Sequence, residues 1–151
     1  MGLGKTLQAI AIAARYKEDW PVLVICPSSV RMSWANEFMK WLHVPEEDIR
    51  VILKGNQEMD GEINIISYDL ASKVIENQQQ FGFVIVDESH FIKNRTAKRT
   101  QAVGRITCAA RRVIMLSGTP ALSRPEELYN QVSFLQPLLF PTFHSYAYRY
   151  C

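Results

Sequence analysis

The stretch FVIVDESH, residues 83–90, is a β-branched apolar run that ends in two adjacent carboxylates, Asp87 and Glu88. A short, nearly uninterrupted apolar run is typical of a strand that is covered on both faces. The pattern therefore predicts a buried strand that carries Asp87 and Glu88 to the carboxyl end of a sheet, the edge at which α/β sheets bind ligands. If the pair stood alone, a solvent-exposed turn would explain it as well.

Strand and helix patterns alternate along the rest of the chain. The predicted strands are Val22–Cys26, Ile63–Ser67, Phe83–Asp87, Val113–Ser117 and a weaker Arg50–Leu53. The predicted helices are Lys5–Tyr16, about Ser29–Leu42, about Asp69–Gln79, about Thr96–Ala110, Pro125–Leu135 and a short one near Phe143–Tyr150. This alternation predicts an α/β fold with a mostly parallel sheet flanked by helices.

Two local features refine the helix predictions. Ser28 or Ser29 can cap the second helix, and Pro125 followed by two glutamates is a strong helix start. One stripe at three- and four-residue spacing is interpreted as core rather than as a platform for stacked bases: Trp34, Phe38, Trp41 and Leu42.

Composition bounds the class of protein. With 151 residues, 48% hydrophobic and 21% charged, the chain is expected to form one globular domain, residues 1–151. No apolar run approaches the ~20 residues of a membrane span, so no membrane partner is expected. The three cysteines form no C-x-x-C pair, which argues against a zinc site and favours a reducing compartment.

Charge is distributed unevenly along the chain. Residues 1–88 contain 8 basic and 13 acidic residues, a balance of −5, whereas residues 89–151 contain 9 and 2, a balance of +7. Eight basic residues and no acidic one lie between Ser89 and Pro125. This stretch is either a surface that lies against phosphates or a solvated, unpaired basic face.

The first six residues, MGLGKT, match the second half of a phosphate-binding loop. Gly2 and Gly4 permit backbone turns that aim amide N–H groups at phosphate oxygens, Lys5 adds a positive charge, and Thr6 offers a hydroxyl to Mg²⁺. Gly-Lys-Thr also occurs by chance at the start of a helix. The pair Asp87 and Glu88 some 80 residues later makes the loop the better interpretation, since such an acidic pair is the expected partner of a phosphate loop.

A third motif, SGTP at residues 117–120, again follows a predicted buried strand. Its hydroxyl groups, on Ser117 and Thr119, can bond to the acidic pair or to an incoming phosphate. By itself this tetrapeptide is an ordinary turn. It supports a nucleotide-binding function because it is the third motif along the chain, after the phosphate loop and the acidic pair, in the expected order.

With these motifs the chain resembles helicase superfamily two, and within it the SWI/SNF-like DNA translocases, over almost its whole length. The matching segments are Met1–Thr6, Cys26–Ser29 with Trp34, Ile66–Tyr68, Asp87–His90 with Lys93 and Asn94, and Ser117–Pro120. Ser89 in place of the more usual alanine, and the continuation Ala121–Tyr129, make it similar to the HARP-type annealing helicases.

The resemblance implies a role for each motif residue. It assigns Gly2, Gly4, Lys5 and Thr6 to ATP and Mg²⁺, and it assigns Asp87 to Mg²⁺ and Glu88 to hydrolysis. His90, Ser117 and Thr119 would couple the nucleotide state to DNA, although His90 is also consistent with an ordinary buried histidine. Ser28, Ser29 and Tyr68 are the expected DNA contacts, through phosphates rather than bases.

The resemblance also implies what the whole protein does. It indicates a nuclear, DNA-dependent ATPase of which this chain is the first RecA-like lobe, acting on double-stranded or branched DNA to rewind strands or remodel stalled replication forks. A chromatin remodeller and a lobe that binds nucleotide or DNA without turnover remain alternatives. Because half of the phosphate loop, the strand before it and the second lobe lie outside this sequence, the isolated chain is expected to be inactive.

Overall fold

Five parallel strands form one sheet in the computed structural model, which describes residues 3–74, 80–119 and 125–151. The order across the sheet is β2-β3-β1-β4-β5. The strands are β1 (Val22–Cys26), β2 (Ile49–Val51), β3 (Ile63–Ser67), β4 (Phe83–Val86) and β5 (Arg112–Met115). The α-helices are α1 (Lys5–Arg15), α2 (Arg31–Leu42), α3 (Tyr68–Val74), α4 (Lys98–Ala109), α5 (Tyr129–Leu135) and α6 (Phe143–Tyr150).

Both faces of the sheet are covered, as the apolar runs predict. On β1, Val22, Val24 and Cys26 pack on one face with buried residues of α1 and α2, while Leu23 and Ile25 pack on the other with residues of α3 and α4. All residues of β1, β3 and β4 are buried. The strand β5, which lies at one edge of the sheet, is only partly buried along its length.

The register aligns the carboxyl ends of the central strands. Ile25 of β1 lies beside Ile66 of β3 and Val86 of β4, and Val86 lies beside Met115 of β5. The loops that follow these four strands therefore meet at one edge. These loops contain the second, third, fourth and fifth matching motifs, while the segment before α1 contains the first.

A buried carboxylate joins the opposite, amino edge of the sheet. Asp19, 6% exposed, accepts hydrogen bonds from Arg111 Nη1 at 3.1 Å and Arg112 Nε at 2.6 Å. The Arg112 guanidinium also stacks over the Tyr16 ring, 3.5 Å from its centroid. These contacts tie the segment before β1 to the start of β5, and the hydrogen bonds from the two arginines lower the pKa of Asp19 below its ordinary value.

The secondary structure follows the sequence predictions with small shifts at the ends. All five predicted strands are present, and five of the six helices begin within two residues of the predicted start. The exception is α5, which begins at Tyr129 after a 3₁₀ turn, Pro125–Leu128; a 3₁₀ turn, Ser28–Val30, also precedes α2. The predicted end of the third helix lies outside the described residues. Within them, no helix is long and apolar enough to cross a bilayer.

Two predictions about α2 are wrong. Neither Ser28 nor Ser29 caps this helix, because the intervening 3₁₀ turn moves the cap position to Val30, which makes no side-chain cap. Trp41 is not core: the ring is 43% exposed and its indole N–H donates to Glu37 at 2.6 Å. Trp34 and Phe38 are buried as predicted.

Replacing Asp19 with asparagine should lower stability in a pH-dependent way. Because the pKa of Asp19 is lower in the folded chain, the unfolded chain binds a proton first as the pH falls. The carboxylate therefore contributes fully to the free energy of unfolding above about pH 4, the pKa of an aspartate in the unfolded chain. This contribution is lost as the pH falls from there through the lower pKa of the folded chain. We expect the urea midpoint of the wild type to exceed that of Asp19→Asn at pH 7, with the gap narrowing towards pH 3.

A matched control is Asp60→Asn. Asp60 also pairs with an arginine, Arg50 at 2.7 Å, but its side chain is 57% exposed, so water screens the pair and a small effect is expected. A difference in urea midpoint between the wild type and Asp19→Asn that stays constant from about pH 7 to pH 3 would show that the ion pairs of Asp19 do not cause the loss of stability.

Candidate functional site

The segment before α1 forms an uncapped helix start that faces a cleft. Gly4 has left-handed dihedral angles, φ 69° and ψ 29°, which favour glycine, and α1 begins at Lys5. No side chain caps this end and its first turn contains no acidic residue. The positive end of the helix dipole is therefore available to an anion. Gly2, a predicted contact, lies outside the described residues.

The cleft brings residues at the start of α1 together with Asp87, the first carboxylate of the acidic pair. It has a volume of about 460 Å³ and is lined by residues of the loop, of α2 and of the end of β4: Gly4, Thr6, Leu7, Val30, Ser33, Trp34, Glu37, Trp41 and Asp87. The Lys5 ammonium lies close enough to Asp87 to lower its pKa, and a Cβ placed on Gly118 would lie 3.9 Å from Lys5 Nζ. Lys5 thus extends from α1 towards the loops after β4 and β5.

Asp87 is held by donors on both carboxylate oxygens. Trp34 Nε1 donates to Oδ2 at 2.9 Å, and the Glu88 backbone N–H donates to Oδ1 at 2.9 Å. The backbone of Asp87 is also fixed, because its N–H donates to the Ile25 carbonyl at 2.8 Å and its carbonyl accepts from the Tyr68 hydroxyl at 2.6 Å. The side chain is therefore aimed into the cleft in one orientation.

Partial burial sets the charge state of Asp87. Loss of solvation raises the pKa of this carboxyl, and the nearby Glu88 charge raises it further. The Trp34 hydrogen bond, the Glu88 N–H and the Lys5 charge lower it, but the net shift is upward. A cation in the cleft would therefore be a favourable partner for this carboxylate.

Glu88 turns the chain sharply after β4. Its backbone is left-handed, φ 51° and ψ 50°, a region that non-glycine residues seldom occupy and that is common at functional sites. Glu88 Oε2 lies 3.2 Å from His90 Nδ1, which also lies 3.2 Å from Ser117 Oγ. The Ser117 hydroxyl accepts from the Thr119 N–H at 3.1 Å. The structure thus brings the three predicted coupling residues into one hydrogen-bonded chain with Glu88, and His90 is 24% exposed rather than buried.

Ser89 connects the acidic pair to a different helix. Its hydroxyl donates to Gln131 Oε1 of α5 at 2.6 Å, and both side chains are buried. Its backbone N–H donates to the Leu116 carbonyl at 2.8 Å. The hydroxyl that distinguishes this chain from the more usual alanine therefore has a definite partner.

The predicted DNA contacts occupy two different environments. Ser28 and Ser29 are exposed in the 3₁₀ turn after β1, at the carboxyl edge of the sheet. Tyr68 is 4% exposed and its hydroxyl is engaged by the Asp87 carbonyl. The structure therefore leaves the two serines open to a ligand, but it gives Tyr68 an internal role instead of a surface one.

The basic stretch is not a uniform unpaired face. Arg111 and Arg112 bind Asp19, and Lys93 lies 3.6 Å from Glu127. The Arg95 guanidinium lies over the rings of Tyr129 and Phe143, 5.1 and 5.0 Å from their centroids. The interpretation as an unpaired face is wrong for these four side chains, although Lys93, Arg95 and Arg111 are exposed to solvent.

Sequence reasoning missed two residues of the site. Trp34 is a core residue, as predicted. A buried indole N–H needs a hydrogen-bond acceptor, and this requirement could have indicated that a polar group lies near Trp34. Gln131 had no signal, since it belongs to no motif and meets Ser89 only through the packing of α5. No three His, Cys, Asp or Glu side chains cluster anywhere in the part of the chain that the structure describes.

Comparison with known proteins identifies relatives over the whole chain. The family model described as the SNF2-related domain matches residues 1–150. The "SWI/SNF-related matrix-associated actin-dependent regulator of chromatin subfamily A-like protein 1" of Bos taurus is 50% identical over all of this chain, and the "DNA annealing helicase and endonuclease ZRANB3" of Mus musculus is 45% identical. The chain spans only 16% and 15% of the length of these two curated relatives.

A solved structure supports the fold independently. The "Sulfolobus solfataricus SWI2/SNF2 ATPase core in complex with dsDNA" superposes with a TM-score of 0.82 at 28% identity, over 98% of this chain and 32% of that one. The prediction of a RecA-like lobe with a parallel sheet flanked by helices is thereby confirmed.

Thiol labelling should distinguish Cys26 from the other cysteines. Burial, and secondarily the Asp87 charge, raise the pKa of the Cys26 thiol to about 12, so almost no thiolate is present at pH 8. Cys108 and Cys151 are exposed. We expect iodoacetamide at pH 8 to add two groups to the folded chain and three in denaturant, as measured by intact mass. Alkylation of Cys26 in the folded chain as fast as of Cys108 would contradict the buried position of the thiol.

Proposed function

We propose, because this chain belongs to the SNF2-related domain family, that its parent protein is an ATP-dependent DNA translocase of the annealing-helicase type. Residues 1–151 would be the greater part of its first RecA-like lobe. The single observation that carries the proposal is the cleft in which the uncapped start of α1, with Gly4 and Thr6, faces Asp87, while Lys5 lies close enough to lower the pKa of that carboxyl.

Nucleotide binding follows from the family, and the residues present fit a triphosphate. Backbone N–H groups at the start of α1 offer hydrogen bonds to phosphate oxygens, with the helix dipole adding to their attraction. Gly4 leaves this backbone open, since no atom lies within 4 Å of the position that a Cβ would take. Lys5 supplies a full positive charge beside it. These features favour ATP as the ligand of the cleft.

The same residues fit a magnesium ion bound with the nucleotide. Thr6 and Asp87 both line the cleft and would hold Mg²⁺ by a hydroxyl and a carboxylate. Since the described residues contain no cluster of three acidic, histidine or cysteine side chains, phosphate oxygens and water would supply the other ligands, as Mg²⁺ commonly requires. When bound, Mg²⁺ neutralises charge on the phosphates.

Glu88 is the proposed residue for hydrolysis. It follows Asp87 directly and would orient and deprotonate the water that attacks the γ-phosphate. Its contact with His90, and through His90 with Ser117, links this carboxylate to the loop after β5. We infer that these residues transmit the state of the nucleotide to the DNA-binding surface.

Double-stranded or branched DNA is the proposed track. Ser28 and Ser29 are exposed at the edge of the sheet that also holds the cleft, where short hydroxyls and backbone N–H groups can contact phosphates without reading sequence. The structural relative was solved with double-stranded DNA, and two curated relatives are named for chromatin regulation and for DNA annealing. These names favour a nuclear protein that remodels branched DNA at stalled forks, with a second RecA-like lobe closing the cleft.

Glu88→Gln in the full-length parent should abolish most DNA-stimulated ATP hydrolysis. The amide cannot take up a proton, so we expect kcat to fall roughly 10²- to 10⁴-fold, the range for loss of a general base. Nucleotide binding should persist, because the loop residues are unchanged. Phosphate release in the presence of fork DNA measures the effect.

Glu127→Gln is the matched control. Glu127 pairs with Lys93 at 3.6 Å and does not line the cleft, so this change should leave kcat unchanged. Hydrolysis by Glu88→Gln at the wild-type rate would refute the assignment of Glu88 to hydrolysis.

The isolated 151-residue chain should show negligible turnover. In this family an arginine from the second lobe stabilises the transition state, and such an arginine contributes about 10³- to 10⁵-fold in rate. We therefore expect phosphate release by the chain alone to match that of its Glu88→Gln variant. A steady-state rate for the chain near that of the full-length parent would show that one lobe suffices.

A further inference from the structure

Trp34 contacts the site through the polar atom of an otherwise buried side chain. Its ring is 2% exposed and packs beside Phe38, with ring centroids 6.0 Å apart, on the face of the sheet that α1 and α2 cover. Its Nε1 donates to Asp87 Oδ2 at 2.9 Å. A hydrogen bond to an ionised acceptor is stronger than one to a neutral acceptor. The contact therefore does more than satisfy the indole.

Two other tryptophans show what a purely structural indole does in this chain. Trp20 Nε1 donates to the Ala13 carbonyl at 2.8 Å, within the local helix-to-strand connection. Trp41 Nε1 donates to Glu37, four residues earlier on the same helix. Only Trp34, of these three, reaches across 53 positions of sequence to a residue of the acidic pair.

The contact leaves room for a cation on the same carboxylate. Each oxygen of an ionised carboxyl can accept two hydrogen bonds or ligands. Among the described residues, Asp87 Oδ2 accepts from Trp34 and Oδ1 accepts from the Glu88 N–H, so each oxygen has capacity for one further ligand. With its backbone fixed by Tyr68 and Ile25, the carboxyl rotates only about its own side-chain bonds, and the indole N–H selects one of those orientations.

Trp34 also links this carboxylate to the exposed turn after β1. It lies in the first turn of α2, which begins at Arg31 directly after the 3₁₀ turn Ser28–Val30. The side chain of Arg31 fixes that junction, since its Nε donates to the Ser28 carbonyl at 3.1 Å and its Nη1 to the Ile52 carbonyl at 2.6 Å. A displacement of the exposed serines would therefore move the helix that carries the indole.

We propose that Trp34 is a positioning residue for the metal-bearing nucleotide: its indole N–H sets the orientation of the Asp87 carboxylate, from the helix that directly follows the exposed turn with Ser28 and Ser29. The inference rests on the proposed function, because it assumes that Asp87 holds the magnesium ion. It assigns to Trp34 no contact with substrate. Partners of this kind behind a metal ligand typically contribute 10- to 100-fold to metal affinity or activity.

The test compares Trp34→Phe with Trp20→Phe in the full-length parent. Both variants lose one indole N–H, but Trp20 donates to the Ala13 carbonyl and does not line the cleft, so only the first variant loses a bond to Asp87. The measurement is binding of a fluorescent ATP analogue, first without metal and then as Mg²⁺ is added. We expect Trp34→Phe to raise the half-saturating Mg²⁺ concentration about 10- to 100-fold while metal-free binding is unchanged. Trp20→Phe should leave the half-saturating Mg²⁺ concentration unchanged.

Two outcomes would overturn the inference. The first is a half-saturating Mg²⁺ concentration for Trp34→Phe equal to that of the wild type. The second is an equal loss of metal-free and metal-dependent binding with a lower melting temperature, which would mark Trp34 as structural only. If Trp34→Phe fails to fold, the same titration is carried out with benzothienylalanine at position 34. This residue keeps the shape of the indole but lacks the N–H.

Asp87→Asn separates failure of this inference from failure of the proposed function. If Asp87→Asn shifts the Mg²⁺ dependence and Trp34→Phe does not, the positioning role is refuted and the metal site stands. If Asp87→Asn leaves the Mg²⁺ dependence unchanged, the metal site itself is refuted, and with it the role of Trp34.

Discussion

The left-handed backbone of Glu88 is the constraint on which the arrangement of the site depends. It ends β4 abruptly, and three of the residues around it extend towards different parts of the fold. Asp87 meets α2, Ser89 meets α5, and His90 meets the loop after β5. An ordinary strand or helix would direct alternate or every fourth side chain to one face, so it could not place neighbours in this way. The local strain, of the order of 1–3 kcal/mol, is offset by the contacts that it permits.

These contacts make the acidic segment a junction between the two layers of helices. The helices α1 and α2 cover one face of the sheet, and α3 and α4 cover the other. Trp34 connects the segment to the first layer, while Tyr68, at the start of α3, holds the Asp87 carbonyl from the second. A change in the cleft can therefore reach both layers through short, direct hydrogen bonds. If the proposed function holds, these connections would carry a change at the nucleotide to both layers of the lobe.

The sequence predicts the strands and most of the site because both depend on local pattern. Runs such as Val22–Cys26 are apolar on both faces, which leaves little ambiguity about a buried strand once helical segments separate these runs. The predictions fail where tertiary packing decides. Trp41 has the spacing of a core residue but is 43% exposed. The bond between Ser89 and Gln131 joins positions 42 residues apart with no shared motif. The 3₁₀ turn that displaces the Ser28 cap likewise has no signature in residue type alone.

The half-covered strand at the end of the sheet has a practical consequence for anyone who prepares this polypeptide by itself. Along β5, main-chain N–H and C=O groups on the side away from β4 have no neighbouring strand among the described residues. Unpaired main-chain groups of this kind recruit further strands, and Val113 to Met115 is an apolar sequence that suits such recruitment. Two copies could therefore join through β5, so material produced in this form should be checked for self-association by light scattering before any binding assay is interpreted.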